Sequence, residues 1–272
     1  MSRIEKIAGQ AKATNRKLLI PYLVAGDPNL QTTAALMHKL VEQGSDIIEL
    51  GIPFSDPSSD GPVIQRGVER ALEKDTTLKQ VLELVAEFRQ IDNDTGIVLM
   101  GYLNPIEIMG YQVFVDAASS AGVDGVLTVD LPPSEASELH GLLREKQIDT
   151  IYLVAPTTRE SRLASIIERC SGYLYYVSLK GVTGAALIDH DSVSANIDRL
   201  RAQAQLPIVI GFGIKDGASA AAMGKLADGV IIGSALVEKI AELADQVGQD
   251  EAVLLATTAV IGEAREALDN IV

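Results

Sequence analysis

The chain has 272 residues, of which 47% are hydrophobic and 22% charged, and this composition excludes a disordered or collagen-like protein. Its formal net charge of -14 at pH 7 argues against nucleic acid or an anionic membrane as a partner, because both attract clustered Lys and Arg. The single cysteine, Cys170, excludes a disulfide framework within the chain and favours a reducing compartment.

The segment before residue 18 contains several basic side chains but no apolar run, so it lacks the pattern of a signal peptide. No stretch of 18 apolar residues occurs anywhere in the sequence. We therefore expect a soluble, cytoplasmic protein, in which a helix over residues 4–13 precedes the first strand.

Short apolar runs then alternate with longer amphipathic segments, which is the pattern of strands and helices in an α/β protein. Eight runs are predicted to be strands: residues 18–23, 47–51, 97–101, 125–129, 150–154, 173–178, 208–211 and 229–233. Each is followed by a candidate helix. The last helix is predicted over residues 251–270.

An aspartate directly precedes four of these strands, at Asp46, Asp124, Asp149 and Asp228, which indicates a repeated helix-loop-strand unit. Eight right-handed βα units close naturally into a barrel. We predict a single TIM-type (β/α)8 barrel over residues 1–272, with the N-terminal and C-terminal helices added to it. An open doubly wound sheet is the alternative, but no G-x-G-x-x-G motif opens the first helix.

Glu49 is an acidic residue inside an otherwise apolar strand, Ile47–Gly51. The alternation of side chains in a strand sends Ile47, Glu49 and Gly51 to the same side. If that side is the barrel interior, burial would raise the pKa of Glu49 towards the range useful for proton transfer. A structural ion pair is the alternative role for this side chain.

The loop after this strand, residues 53–62, is rich in Pro, Ser and Asp, and loops at this end of barrel strands form active sites. Asp56 and Asp60 could bind a divalent cation, but no third ligand has the spacing of a calcium loop. A Ser or Asp ahead of Gly61 and Pro62 could instead cap the next helix. We predict no metal site, and the three histidines show no ligand spacing either.

Glycines follow three consecutive late strands, at residues 181–184, 211–213 and 233. In barrels of this type phosphate is often bound by the loops after the seventh and eighth strands, where glycine lets backbone N–H groups approach an anion. Ser234 can add its hydroxyl. The sequence therefore predicts a phosphate site, and a loop over residues 181–184 that closes on it. Lys180 could form a Schiff base or remain a solvated loop lysine.

The string IELGIPFSDP at residues 48–57, followed by DGP at 60–62 and IQ at 64–65, resembles the tryptophan synthase alpha family. Supporting matches occur in order along the chain: PY at 21–22, AGDP at 25–28, MGY at 100–102, NP at 104–105, DLPP at 130–133, GVTG at 181–184 and GFGI at 211–214. The resemblance covers nearly the whole chain.

This resemblance implies cleavage of indole-3-glycerol phosphate to indole and glyceraldehyde 3-phosphate, with Glu49 as the acid and base and Asp60 at the indole N–H. The residues expected around the substrate are Tyr22, Ile64, Met100, Tyr102, Leu127, Tyr175, Thr183 and Phe212. Those expected at the phosphate are Gly184, Gly213, Gly233 and Ser234. The apolar members could equally be ordinary barrel core.

The resemblance also implies a complex with a separate beta subunit, of α2β2 composition, which holds pyridoxal phosphate. No cofactor is expected in this chain, and Asp56 and Pro57 are expected to face the partner. The sequence departs from the family pattern at Ser58-Ser59, at Leu179-Lys180 and at Tyr22, where Phe is common. A Schiff-base aldolase using Lys180 and a non-catalytic activating subunit are the competing hypotheses.

Overall fold

The computed structural model describes residues 2–177, 190–243 and 250–271, within which parallel strands alternate with helices. The strands are β1 (Leu18–Val24), β2 (Ile47–Gly51), β3 (Gly96–Gly101), β4 (Gly125–Thr128), β5 (Asp149–Thr150), β6 (Tyr152–Val154), β7 (Leu174–Tyr176), β8 (Ile208–Ile210) and β9 (Gly229–Ile232). None of the helices in this described part combines the length and the apolar composition needed to cross a bilayer.

The helices lie between and around these strands. They are α1 (Arg3–Ala13), α2 (Leu30–Glu42), α3 (Pro62–Leu72), α4 (Leu78–Phe88), α5 (Leu103–Met109), α6 (Tyr111–Ala121), α7 (Ser137–Glu145), α8 (Glu160–Arg169), α9 (His190–Arg201), α10 (Gly217–Gly224), α11 (Ser234–Leu243) and α12 (Glu251–Asp269). Both added helices, α1 and α12, are confirmed to within a residue of their predicted ends.

The strands form a barrel in the order β5-β4-β3-β2-β1-β9-β8-β7-β6, and every pairing is parallel. The predicted fifth strand is interrupted at Ile151. Its first part, β5, pairs with β4, while its second part, β6, pairs with β7. The chain itself closes the ring between β5 and β6, so the predicted (β/α)8 barrel is confirmed with this one break.

Side chains on the strands alternate between two packed layers, as period-two geometry requires. The inner layer fills the barrel and includes Ile47, Val98, Leu127, Tyr173 and Val209. The outer layer packs the strands against the surrounding helices. Ile4 of α1 is fully buried in the inner layer, so this helix covers one end of the barrel.

Three of the four aspartates that precede strands occupy equivalent positions at the N-terminal rim, and we call Asp46, Asp124 and Asp228 the rim carboxylates. Each accepts a hydrogen bond from the backbone N–H of a residue in another strand, at 2.8–2.9 Å. Those donors are Leu19, Ile97 and Ile208. Each rim carboxylate also pairs with at least one arginine: Arg16 and Arg265 at Asp46, Arg3 and Arg89 at Asp124, and Arg201 at Asp228.

Candidate active site

Glu49 points into the barrel, as the strand alternation predicts, and it is fully buried. The hydroxyl of Tyr173 donates a hydrogen bond to Glu49 Oε1 at 2.5 Å. The other oxygen, Oε2, has no partner among the described residues. Burial raises the pKa of Glu49 to about 7, and the hydrogen bond from Tyr173 opposes that rise. The carboxyl group is therefore poised to exchange a proton near neutral pH.

Asp60 lies in the loop after β2 and is partly buried. Its Oδ2 accepts a hydrogen bond from the Tyr102 hydroxyl at 3.0 Å, and that hydroxyl accepts one from the Ser59 N–H at 3.0 Å. The Gln65 amide donates to the backbone oxygen of Asp60 at 2.8 Å and so ties the loop to α3. Burial raises the pKa of Asp60. These contacts hold one carboxylate in a defined direction.

The capping role considered for a Ser or Asp in this loop is wrong. Gly61 occupies the cap position of α3, no side chain caps the helix, and Pro62 fills its first turn. The side chain of Asp60 is thus free of helix capping and is held by Tyr102 instead.

A cavity of about 560 Å³ opens at the C-terminal ends of the strands, where the site was predicted. Its lining includes most of the predicted substrate and phosphate residues: Tyr22, Asp60, Ile64, Met100, Tyr175, Phe212, Gly213, Gly233 and Ser234. Leu127 is buried in the inner layer and Tyr102 stands behind Asp60, so neither lines this cavity. Glu49 does not line it either, but burial, together with the charges of Asp60 and Glu49, raises the pKa of two tyrosines that do, Tyr22 and Tyr175.

Gly211 shows why a glycine is required at one wall of the cavity. A Cβ atom added there would lie 2.2 Å from the ring and hydroxyl of Tyr175. The close approach lets Tyr175 lie across the barrel interior, with its hydroxyl directed to the Gly211 oxygen at 3.5 Å. This glycine makes room for an aromatic ring, which the sequence reasoning had not anticipated.

One end of the cavity has the features of an anion site. Helix α11 begins at Ser234, directly after Gly233, so its unpaired N–H groups and the positive end of its dipole lie at the cavity. Gly213 lies on the facing loop. Lys215, which the sequence reasoning missed, also lines this end and is exposed. Among the described residues that line the cavity it is the one cation, and Glu238 is also part of the lining.

Leu179, Lys180 and the whole loop over residues 181–184, which includes Thr183 and Gly184 and was predicted to close on the phosphate, lie outside the described residues. Asp56 is exposed, Pro57 is partly buried, and both lie in the loop at the C-terminal end of β2. Ile108 of α5, which follows β3 at the same end of the barrel, is 81% exposed. Within the described ranges, no three His, Cys, Asp or Glu side chains come together as a metal ion would need.

Known families and sequences match nearly the whole length of the chain. The family model for the tryptophan synthase alpha chain matches residues 8–267. A tryptophan synthase alpha chain from Marinobacter nauticus is 53% identical over 271 residues, covering 100% of this chain and 99% of the relative. One from Thioalkalivibrio sulfidiphilus is 52% identical over 269 residues, covering 99% and 100%.

Solved structures match the chain in fold as well as in sequence. The tryptophan synthase alpha subunit from Legionella pneumophila is 44% identical and superimposes with a TM-score of 0.92, covering 100% of both chains. A chain of the tryptophan synthase crystal structure from M. tuberculosis, in the aminoacrylate-bound form, is 33% identical with a TM-score of 0.86. It covers 98% of this chain and 100% of its own.

Proposed function

The chain belongs to the tryptophan synthase alpha family and cleaves indole-3-glycerol phosphate to indole and glyceraldehyde 3-phosphate, and we propose that Glu49 is the acid and base of this lyase reaction. The observation that carries the assignment is the burial of Glu49 in the inner layer, which raises its pKa to about 7. At neutral pH both protonation states are then populated, and the reaction uses both.

The reaction needs one proton delivered to the ring and one removed from the side chain, and both tasks suit one buried carboxyl group that first gives and then takes a proton. Protonated Glu49 donates to carbon 3 of the indole ring, which becomes an electron-poor indoleninium. The carboxylate so formed takes the proton of the hydroxyl on the adjacent side-chain carbon. The carbon-carbon bond then breaks, its electron pair returns to the ring, and the hydroxyl carbon leaves as an aldehyde. General acid–base help of this kind is typically worth about 10² to 10⁴ in rate.

Glu49 does not line the cavity, so the proposal includes a rotation of its side chain towards the bound substrate. Its Oε2 has no partner among the described residues, and this favours such a movement, since a buried oxygen gains by finding a donor. The other oxygen, Oε1, accepts the hydrogen bond from the Tyr173 hydroxyl.

Asp60 is assigned to the indole nitrogen, where positive charge develops as carbon 3 is protonated. Its partners Tyr102 and Gln65 hold the carboxylate in place before the substrate arrives. A fixed charge of this kind can stabilise a transition state by about 3 kcal/mol. Tyr22, Ile64, Met100, Tyr175 and Phe212 supply the apolar and aromatic walls around the ring.

The phosphate is assigned to Gly213, Gly233, Ser234 and the N-terminus of α11, together with Gly184, which lies outside the described residues, as does Thr183, which is assigned to the rest of the substrate. Lys215 adds a positive charge at the rim. Because the phosphate is remote from the bond that breaks, its binding energy serves to orient the reacting end.

A beta subunit is the proposed partner, in an α2β2 complex whose beta subunit carries pyridoxal phosphate, while this chain needs no cofactor. Asp56 and Pro57 are assigned to that interface. The exposed Ile108 on the same end of the barrel supports a partner there, because a large apolar side chain gains from being covered. We also place the enzyme in the cytoplasm, since Cys170 is a buried free thiol.

We further propose that residues 1–272 form one folding unit. The described elements from Arg3 to Asp269 all belong to or pack around one barrel.

The test is indole release from indole-3-glycerol phosphate by the purified chain, with and without a beta subunit, for wild type and Glu49→Gln. We expect the replacement to lower kcat by at least about 10²-fold while leaving the fold intact. Glu87→Gln, the same change on the exposed face of α4, is the matched control and should be inert. Near-normal turnover in Glu49→Gln would remove Glu49 from the mechanism.

A further inference from the structure

Tyr22 lines the cavity and lies between its two ends, the end at Gly233 that is predicted to bind phosphate and the end at Gly51 that is nearer to Glu49. At one end, a Cβ atom added to Gly233 would contact Tyr22 Cβ and Cδ1 at 3.5 Å. At the other, a Cβ atom added to Gly51 would lie 2.3 Å from the Tyr22 hydroxyl oxygen. The ring is therefore anchored beside the predicted phosphate loop, while the hydroxyl lies above the end of β2, two residues beyond Glu49.

Gly51 is a glycine because the end of the Tyr22 side chain occupies the space of a side chain there: an added Cβ would lie 2.8 Å from the ring carbon Cζ and 2.3 Å from the hydroxyl oxygen. Its backbone is not in the left-handed region, so the conformation alone would accept any residue. The ring of a phenylalanine at position 22 would also require this glycine, but it would bring no hydroxyl to the end of β2. Gly51 thus allows the Tyr22 hydroxyl to lie beside the end of this strand.

The hydroxyl of Tyr22 has no hydrogen-bond partner within residues 2–177, 190–243 and 250–271, although its ring is 8% exposed and lines the cavity. It lies close enough to Asp60 and Glu49 for both charges to act on it. Asp60 already accepts a hydrogen bond from Tyr102. A hydroxyl that lines a cavity and has no acceptor among the described side chains is free to donate to a bound ligand.

We propose that the hydroxyl of Tyr22 donates a hydrogen bond to the substrate hydroxyl whose proton Glu49 removes, and so directs that proton at the carboxylate. This inference rests on the proposed function and adds a residue to it. A hydroxyl has one proton and two lone pairs. Once Tyr22 occupies a lone pair, the remaining proton is free to point at Glu49.

The other polar groups of the substrate are less suited to accept a hydrogen bond from the Tyr22 hydroxyl. The indole N–H is itself a donor and is matched to Asp60. The phosphate lies at the Gly233 end, which meets the base of the Tyr22 side chain rather than its hydroxyl. Burial and the charges of Asp60 and Glu49 hold the pKa of Tyr22 well above 10, so it stays a donor wherever the enzyme works.

The test compares wild type with Tyr22→Phe in the complex with a beta subunit, using two probes. With indole-3-glycerol phosphate we expect kcat to fall about tenfold and KM to change less, because the lost bond is made to the reacting oxygen. With indole-3-propanol phosphate, which has the ring and phosphate but neither chain hydroxyl, we expect the dissociation constant to stay within about twofold. Unchanged binding of this probe also shows that the variant is folded.

Tyr152→Phe is the matched control, because it removes the same group from a tyrosine of the outer layer, away from the cavity, whose hydroxyl has no partner among the described residues. It should leave both probes unaffected. An unchanged kcat in Tyr22→Phe would overturn the inference, as would weaker binding of indole-3-propanol phosphate by the same factor as the loss in kcat. Failure of wild type to release indole, or normal turnover in Glu49→Gln, would instead overturn the proposed function.

Discussion

Replacing Glu49 by glutamine is expected to change how the stability of the protein depends on pH, independently of catalysis. Glutamine keeps the shape of the protonated acid but cannot ionise. In wild type, burial raises the pKa of Glu49 from 4.5 to about 7. The folded state therefore binds this proton more tightly than the unfolded state does, and ionisation opposes folding.

The sign and size follow from that difference. The stabilisation by the bound proton is fully present below pH 4.5, is lost progressively as the pH rises, and is gone above a pH of about 7. The whole change corresponds to about 3 kcal/mol of the free energy of unfolding. Most of it, about 2 kcal/mol or more, falls between pH 5 and pH 8.5. Glu49→Gln should lack this contribution and so gain on wild type as the pH rises.

The measurement is the free energy of unfolding in urea, at pH 5 and at pH 8.5, for wild type and for Glu49→Gln. The change between the two pH values is compared for the two proteins, so that ionisations common to both cancel. Glu87→Gln should follow the wild-type pH dependence, since Glu87 is exposed on α4. If wild type and Glu49→Gln lose or gain the same free energy between the two pH values, the carboxyl group titrates near its ordinary pKa and the argument from burial is refuted.

Three further replacements test other parts of the site and its support. Asp60→Asn should lower kcat about 10²-fold in the indole-release assay, with KM less affected, because a fixed charge near the indole nitrogen is lost. Gly211→Ala should raise KM about tenfold, since its Cβ would lie 2.2 Å from Tyr175 and displace the ring. Arg70→Ala should lower the free energy of unfolding by about 3 kcal/mol, measured in urea, because it leaves the fully buried Asp27 unpaired after two hydrogen bonds of 2.7 and 2.8 Å are removed.

Each of these has an outcome that contradicts it. Unchanged kinetics in Asp60→Asn would leave Asp60 as a structural partner of Tyr102. Normal KM in Gly211→Ala would show that the Tyr175 ring can move aside without loss. If adding Asp27→Asn to Arg70→Ala restores no stability, the cost is lost packing of Arg70 rather than an unpaired charge.

Local patterns were sufficient to predict the barrel and to place Glu49 on the same side of its strand as Ile47 and Gly51, and the structure shows that this side is the interior. Apolar runs separated by amphipathic segments report strand and helix positions directly, and alternation within β2 reports which face each side chain takes. The interruption at Ile151 was not predictable in this way, because Thr150 to Val154 consists of β-branched, aromatic and aliphatic residues that favour a strand, with no Gly or Pro to mark a break. The break arises from the two different neighbours of β5 and β6, which only barrel closure brings together.

The partner of Glu49 was missed for a similar reason. Tyr173 is 124 residues away in the chain and meets Glu49 only across the barrel interior. Nothing near Tyr173 in the sequence signals a polar contact. Gly211 was predicted to serve phosphate binding or a tight turn, because a glycine in a loop does not disclose which side chain will fill the space it leaves. Lys215 was overlooked because a single exposed lysine has no distinguishing pattern.

The rim carboxylates have a consequence at the opposite end of the barrel. Asp46 precedes β2, accepts from Leu19 of β1, and pairs with Arg16 and with Arg265 of α12. Sliding β2 by one residue would exchange its inward and outward faces and break all of these contacts at once. The position of Glu49 along the barrel axis is therefore set by contacts at the N-terminal rim. A truncation of α12 would remove one of these contacts, and it would loosen the alignment of the acid with the bond that it helps to break, although α12 is remote from the cavity.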